Sequence, residues 1–224
     1  MRALIAYPRQ AAFGRVLPKS KIYERSGANT RLKELFVKQV EQIVWQCKLA
    51  PETLHLPASP GVPEIQILRI QLKAPELHTD VLRCIDGVIP FPIVFELIFD
   101  GRAQVTASYK RSKGADTSRL VLSDYFASDW LPMDSERTAM PVALHLGGLY
   151  EQLLLRLIPT SARPHEKLAD LVARVELIAA KQCEIDKVAS RLAKEKQFNR
   201  KVTINANLRQ LRNELDALIR RDGT

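Results

Sequence analysis

The stretch that decides the fold is residues 93–109, with the sequence IVFELIFDGRAQVTASY. Both halves are rich in β-branched and aromatic side chains, and the pair Asp100-Gly101 separates them. Asp-Gly between two such runs is typical of a β-hairpin, because both residues of its tight turn need a positive φ. The sequence therefore predicts two antiparallel strands joined at this pair, with residues 120–122 as a third strand beside them.

An earlier strand is predicted at residues 64–73, EIQILRIQLK, where polar and apolar side chains alternate. The phase of the alternation slips near Leu68, so the apolar residues on either side of it cannot all share one face. Two explanations remain open. Either the strand has a β-bulge near Leu68, or its middle is buried on both faces.

Three helices are predicted around these strands. Asn29-Thr30 is a helix-capping pair, and apolar residues then recur at spacings of three and four, which predicts a helix to about Lys48. Further apolar helices are predicted at residues 78–88 and 144–158. This order of elements predicts an α+β fold with a small, mainly antiparallel sheet and packed helices.

The C-terminal part of the chain has a different pattern. Residues 165–221 contain no Gly and no Pro, and their apolar residues keep a spacing of three and four, interrupted only by a polar stretch. The pattern predicts either one long coiled-coil helix or a helical hairpin, with the hairpin favoured and its break between Asn199 and Asn205. We therefore divide the chain into an α/β body with a basic N-terminal arm, residues 1–160, and a coiled-coil tail, residues 161–224.

Charge is concentrated at the two ends of the chain. The net charge is +9; residues 1–40 hold nine Lys or Arg against two Glu, and residues 162–224 hold fourteen against nine acids. Basic ends beside a mildly acidic middle indicate nucleic acid or an acidic protein as partner, although a solvated basic surface gives the same pattern. The start of the chain lacks the apolar run of a signal peptide, and no stretch is long enough to span a membrane, so we expect a cytoplasmic protein without a membrane partner.

Two clusters of basic residues are the candidates for binding nucleic acid. Neutralisation of phosphates by clustered Lys and Arg gives salt-sensitive binding that does not depend on base sequence. Lys19, Lys21 and Tyr23 of the arm form a weaker third candidate. The predicted binding residues are Arg191, Lys194, Lys196, Arg200 and Lys201 in the tail, and Lys110 and Arg111 at the end of the predicted hairpin.

The sequence contains no catalytic motif. It has no phosphate-binding Gly-x-x-x-x-Gly-Lys loop, no Gly-x-Ser-x-Gly elbow and no His-Glu-x-x-His pair. The three cysteines and four histidines lack the spacing of metal ligands, and Cys47 and Cys84 are expected to pack as small apolar residues on helix faces. We therefore predict no catalytic residue, no metal and no cofactor.

A metal-dependent nuclease is the alternative enzyme. Such enzymes place two carboxylates and a lysine on neighbouring strands, where the carboxylates hold a divalent ion. Neither Glu64 nor Glu96 is followed by the required lysine. Lys110 lies across the predicted hairpin from Glu96 and Asp100, but such a cross-strand pair is more often a structural salt bridge.

Five segments of the chain are similar to a known bacterial family. They are residues 48–53 (KLAPET), 62–67 (VPEIQI), 85–93 (IDGVIPFPI), 109–111 (YKR) and 195–201 (EKQFNRK). Through them, nearly the whole chain resembles DUF4391, a domain of unknown function. The resemblance implies a gene cluster of the restriction or anti-phage type, because members of this family are often encoded beside DNA methyltransferases and helicases, and it carries no catalytic residues.

The resemblance and the charge pattern together predict a function. The resemblance implies a non-catalytic accessory subunit of a DNA-modification or anti-phage assembly, whose body docks a helicase or a DNA methyltransferase. The charge pattern implies that the basic patches contact nucleic acid. A divergent nuclease and a self-assembling structural protein, such as a homodimer through the C-terminal helices, are the alternatives.

Overall fold

The computed structural model of the protein describes residues 4–113 and 116–220. Its internal contacts divide the chain into two compact units, Met1–Pro159 and Thr160–Thr224, which we call the body and the tail. In the described part of the chain, no helix is both long enough and apolar enough to cross a membrane.

The strands of the body are β1 (Ile5–Ala6), β2 (Ala12–Val16), β3 (Val40–Leu49), β4 (Ile65–Leu72), β5 (Ile93–Phe99), β6 (Arg102–Lys113), β7 (Asp116–Ala127), β8 (Leu131–Pro132) and β9 (Thr138–Ala139). Its helices are α1 (Lys19–Ser26), α2 (Thr30–Gln39), α3 (Pro51–Leu54), α4 (Thr79–Val88) and α5 (Leu146–Leu155).

One mixed sheet forms the centre of the body. Its strands lie in the order β2-β3-β4-β5-β6-β7, and β8 pairs with β6 beside β7. Only β4 and β5 pair in parallel within this sheet, and α4 is the crossover that connects them. The other pairs are antiparallel, so the predicted α+β fold with a mainly antiparallel sheet is confirmed. Strands β1 and β9 form a separate parallel pair.

The hairpin predicted from Asp100-Gly101 is confirmed. The two residues have φ values of 46° and 68°, and Phe99 pairs with Arg102 directly beyond the turn. The third strand is also present, but β6 and β7 extend much further than the predicted runs. Because β6 is longer than predicted, Lys110 lies inside this strand and not at the end of a hairpin.

The helix predicted to continue to Lys48 is wrong, because α2 ends at Gln39 and the chain continues as β3. The β-branched and aromatic residues that follow Gln39 favour a strand. Two register shifts each insert one extra residue of β3 opposite β4. Because the first lies between Val40 and Gln42, the buried residues Val40 and Ile43 share one face although they are three residues apart, which is also a spacing found on one face of a helix. The bulges thus produced a helix-like spacing in a strand, and Cys47 is buried on this strand rather than on a helix.

The structure of β4 decides between the two explanations for the phase slip in its sequence, a β-bulge near Leu68 or burial of its middle on both faces. Its pairing with β5 is continuous from Gln66 to Gln71, and Ile67 and Leu68 are both completely buried. The strand is therefore buried on both faces at its middle, and the bulges lie in β3. One of its faces contributes Leu68 and Ile70 to a core shared with α1, α2 and α4; other members of that core are Ile22, Phe36, Ile43, Val81, Ile85 and Phe95.

Strand β2 is one edge of the sheet. All five of its residues are exposed, and its ladder with β3 is interrupted between Ala12 and Arg15. Gly14 lies in this interruption with a φ of 64°, a conformation that favours glycine.

The tail consists of two helices, α6 (Leu168–Lys194) and α7 (Phe198–Ile219), that pack on each other as a hairpin. The Lys181 ammonium lies 2.9 Å from the Glu214 carboxylate on the other helix. The predicted break at Asn199–Asn205 is wrong, since these residues lie within α7 and the break lies at residues 195–197. The Glu195 side chain explains this position, because it accepts the backbone N–H groups of Lys196 and Gln197 before α7 begins. The buried residues between the helices are Ile185, Val188, Leu208 and Leu211.

The body is expected to fold without the tail. A fragment of residues 1–160 keeps the whole sheet and the core between it and α1, α2 and α4. We expect this fragment to be soluble and to unfold in one cooperative thermal transition, measured by circular dichroism. A soluble fragment without a cooperative transition would contradict the division, and the full chain is the control.

Candidate nucleic-acid interface

The five basic residues predicted in the tail lie together at one end of the helical hairpin. Arg191 and Lys194 belong to the last turns of α6, Lys196 lies in the connection, and Arg200 and Lys201 belong to the first turn of α7. All five side chains are exposed. The turn between the helices therefore concentrates five positive charges on one small surface, which we call the hairpin end.

A cleft of about 410 Å³ opens at the hairpin end. Two of its lining residues, Arg191 and Arg200, are basic, and Glu195 is the acid that it contains. The backbone N–H groups of Gln197 and Lys196, together with nearby Arg200, hold the pKa of Glu195 below its usual range. The Glu195 carboxylate is therefore negatively charged and offsets one of the five positive charges, so the hairpin end keeps a net positive charge.

Apolar side chains are exposed among these cations. Phe198 is 77% exposed and Val202 is 55% exposed, both in the first two turns of α7. An exposed aromatic ring between basic residues is the combination that stacks on unpaired bases while the cations contact phosphates. The hairpin end thus offers charge and one stacking surface in the same place.

Lys110, the sixth predicted binding residue, lies inside the body. Its side chain is buried, and its ammonium lies 2.8 Å from the carboxylate of Asp86, which is also buried. The ammonium also donates to the backbone oxygens of Asp86, Ile89 and Phe91 at 2.8–2.9 Å. These contacts remove the Lys110 charge from the surface and use all of its donors, so it does not belong with the exposed cations. Arg111, the next residue, is exposed.

Two tyrosines complete the surroundings of this ion pair. The Tyr125 hydroxyl donates to the Asp86 carboxylate. The Tyr150 hydroxyl accepts the backbone N–H of Lys110 and donates to the backbone oxygen of Ser108 at 2.7 Å. Burial raises the pKa of Asp86 and lowers the pKa of Lys110, while the attraction between their charges opposes both shifts. The arrangement fixes the C-terminal end of α4 to the middle of β6.

Glu96, the candidate nuclease carboxylate, is held by two arginines. It is 1% exposed, and its oxygens lie 3.0 Å from Arg69 on the neighbouring strand and 2.9 Å from Arg137. Arg137 also donates to the backbone oxygen of Ile5.

The Cys47 thiol is not a reactive thiolate. Burial, with the Glu96 charge nearby, raises the pKa of this thiol to about 11, so it stays protonated at neutral pH.

The described residues contain no group of three His, Cys, Asp or Glu side chains placed to hold a metal ion. Lys110 does not approach Glu96 or Asp100, as the nuclease alternative required, because it pairs with Asp86. The carboxylate and the lysine that a nuclease would need together are thus engaged at two separate ion pairs.

The three candidate residues of the N-terminal arm lie in a helix. Lys19, Lys21 and Tyr23 lie in α1, where Lys19 donates to the backbone oxygen of Val40 and Tyr23 packs at its ring edge on Phe36. Lys21 is exposed and lines a groove beside Trp45. Sequence reasoning missed this groove because its other wall comes from the loop after α4, which is distant in sequence.

Comparison with known protein families identifies similarity over nearly the whole chain. A family model described as "Domain of unknown function (DUF4391)" matches residues 5–215. No curated protein and no solved structure matches the chain.

Proposed function

The chain belongs to the DUF4391 family, and on that premise we propose that it is a non-catalytic accessory subunit that binds nucleic acid through the hairpin end. The assembly that it serves is a bacterial DNA-modification or anti-phage system, in which the body docks a helicase or a DNA methyltransferase. The observation that carries the proposal is the gathering of five exposed cations around the turn of the tail.

The chemistry of the hairpin end favours contacts with the phosphate backbone over reading of bases. Lys and Arg on exposed helix turns reach phosphates, which position a protein on nucleic acid without specifying sequence. The exposed ring of Phe198 adds a surface on which an unpaired base can stack. We therefore propose binding that is independent of base sequence and tolerant of single-stranded segments, such as a helicase produces.

The non-catalytic part of the proposal is supported by the engagement of the polar groups in the body. Glu96 and Lys110, the residues that a nuclease would use, are committed to structural ion pairs.

Exposed apolar residues of the tail support self-association as part of the same function, because Leu177 is 57% exposed on α6 and Ile219 is 51% exposed on α7. Coiled-coil packing between the tails of two copies would cover such residues.

Removing three cations from the hairpin end should weaken binding to duplex DNA and make it less sensitive to salt. Each phosphate contact contributes about −0.9 to the slope of log affinity against log salt concentration. Replacing Lys196, Arg200 and Lys201 by glutamine should therefore make the slope shallower by roughly 2 to 3. The measurement is fluorescence anisotropy with a labelled duplex between 50 and 200 mM salt, a range over which five phosphate contacts should change the affinity by roughly 500-fold.

The control for this experiment removes the same charge elsewhere. Arg31, Lys33 and Lys38 are exposed on α2, and their replacement by glutamine should leave the slope nearly unchanged. Neither triple variant should change the melting temperature much, because exposed charges contribute little to folding. An unchanged slope in the hairpin-end variant, or an equal change in both variants, would refute the nucleic-acid role.

A further inference from the structure

A groove on the body, distinct from the hairpin end, has the features of a protein-docking site. It has a volume of about 280 Å³ and lies between α1 and the loop after α4. Seven of its nine lining residues are apolar, and the other two, Lys21 and Arg25, are one turn apart on α1. We call it the α1 groove; its apolar lining is Leu17, Ile22, Trp45, Val88, Ile89, Pro90 and Phe91.

The α1 groove has a positively charged edge. Acidic Glu24 lies between Lys21 and Arg25 on α1, and Asp80 lines a neighbouring pocket together with Arg25. Lys21 and Arg25 are both exposed, and neither forms an ion pair within the described part of the chain. Among the described residues, none of those that line the groove is acidic. A ligand that fits it must therefore combine a large apolar group with a negative charge close to that group.

One wall of the α1 groove is rigidly fixed from inside the body. Ile89 and Phe91 line the groove, and their backbone oxygens accept hydrogen bonds from the buried ammonium of Lys110 at 2.8 and 2.9 Å. Trp45 is fixed as well, because its indole N–H donates to the Gln66 side chain. A preformed groove loses little conformational entropy when it binds, so more of the contact energy appears as affinity.

The lining favours a peptide over nucleic acid as occupant. A base needs an open aromatic face for stacking, but the Trp45 ring packs against Phe13 with ring centroids 5.1 Å apart. Most of the remaining lining is aliphatic, which suits insertion of a Leu, Ile or Phe side chain. The two cations on one edge of α1 then face the acidic residues that flank such a side chain.

We infer that the α1 groove binds a segment of a protein partner in which large apolar side chains alternate with Asp or Glu. This inference gives a location to the protein-docking half of the proposed function and rests on it. It does not involve the hairpin end, so the two sites can be tested separately.

The probe is a set of three fluorescein-labelled 12-residue peptides that share the same Leu and Phe residues. Their remaining positions are Asp and Glu in the first peptide, Asn and Gln in the second, and Lys in the third. Binding to the full chain is measured by anisotropy, with a labelled 15-residue oligothymidine as a fourth ligand. We expect the acidic peptide to bind about fivefold more tightly than the neutral one, since two exposed charge pairs contribute about that factor.

Reversing the charges of Lys21 and Arg25 should reverse the preference of the α1 groove for the acidic peptide over the basic one. In the double variant Lys21→Glu/Arg25→Glu, the acidic peptide should bind more weakly than the basic peptide, in contrast to the unaltered chain. The control Lys38→Glu/Arg102→Glu changes the same net charge at two other exposed positions of the body and should keep the original order. Both variants should retain the circular dichroism spectrum and melting temperature of the unaltered chain.

Four results would overturn the inference: no peptide binds, the three peptides bind alike, the charge reversal leaves the order unchanged, or oligothymidine binding depends on Lys21 and Arg25. The last result would assign the α1 groove to nucleic acid. Duplex binding is measured in parallel on the groove variant and on the hairpin-end variant. If the hairpin-end variant loses its salt-dependent binding and the groove variant keeps it, failure of the peptides counts against the α1 groove alone.

Discussion

Replacing Asp86 by alanine should lower the free energy of unfolding by about 3–5 kcal/mol. The substitution leaves the Lys110 ammonium, which is 3% exposed, without its counter-charge in a place that water hardly reaches. It also removes the acceptor of the Tyr125 hydroxyl. Urea unfolding followed by circular dichroism, extrapolated to water, measures the change.

The matched control is the exposed ion pair between Arg83 and Asp124, whose nitrogen and oxygen lie 3.2 Å apart. Replacing Asp124 by alanine should cost at most about 1 kcal/mol, because water solvates both charges. The double variant Asp86→Leu/Lys110→Met removes both buried charges together and should recover much of the loss seen in Asp86→Ala. A loss below about 1 kcal/mol in Asp86→Ala would mean that the buried ion pair does not hold α4 to β6.

Replacing Glu96 by glutamine should lower the free energy of unfolding by about 3 kcal/mol without affecting any cleavage of DNA. The substitution removes the negative charge of Glu96, which lies between the guanidinium groups of Arg69 and Arg137. Both are about one quarter exposed, so water partly compensates, and the loss should be smaller than for Asp86. Thermal and urea unfolding measure stability, and plasmid DNA with magnesium or manganese tests cleavage.

The two readouts for Glu96 separate a structural from a catalytic role. Glu34→Gln is the control, because Glu34 is exposed and its ion pair with Lys38 is long, at 3.8 Å. The free energy of unfolding should change by at most about 0.5 kcal/mol in this variant. Cleavage by the unaltered chain that disappears in Glu96→Gln would contradict the non-catalytic role. Unchanged stability would contradict the structural one.

Local sequence signals predicted the parts of the fold that local physics determines. The turn at Asp100-Gly101 needs two positive φ values, which these two residues supply cheaply. The helix at Thr79–Val88 carries its apolar residues at helical spacing. By contrast, the parallel pairing of β4 with β5 joins segments across a whole helix, and no local pattern distinguishes it from an antiparallel neighbour.

Local signals failed where pairing between strands changed the spacing of buried residues. The bulges in β3 placed Val40 and Ile43 on one face at a separation of three, which is also the separation on a helix. The spacing of apolar residues alone cannot distinguish a bulged strand from a helix, although the β-branched and aromatic residues after Gln39 favoured the strand. In the tail, a carboxylate that accepts backbone N–H groups at Glu195 determined the break, whereas the asparagines were accommodated within α7.

The candidate site was predictable in the tail and not in the body. The tail residues are close in sequence, so the turn between the helices places them together without any long-range contact. Lys110 follows Ser108 at the strand period of two, on a buried face of β6, where α4 and Tyr150 of α5 contact it. Its partner Asp86 lies on another element, and only the packing of α4 on the sheet brings the two charges together.

The irregular ladder of β2 has a consequence for the behaviour of the protein at high concentration. An open sheet edge offers unpaired backbone groups to any second copy, and growth by edge-to-edge addition is a route to fibres. The gap between Ala12 and Arg15, with Gly14 at a φ of 64°, bends this edge, and Arg15 adds a charge to it. A bent and charged outer strand is a poor template for another strand, so we expect this irregularity to protect the protein against edge-to-edge association.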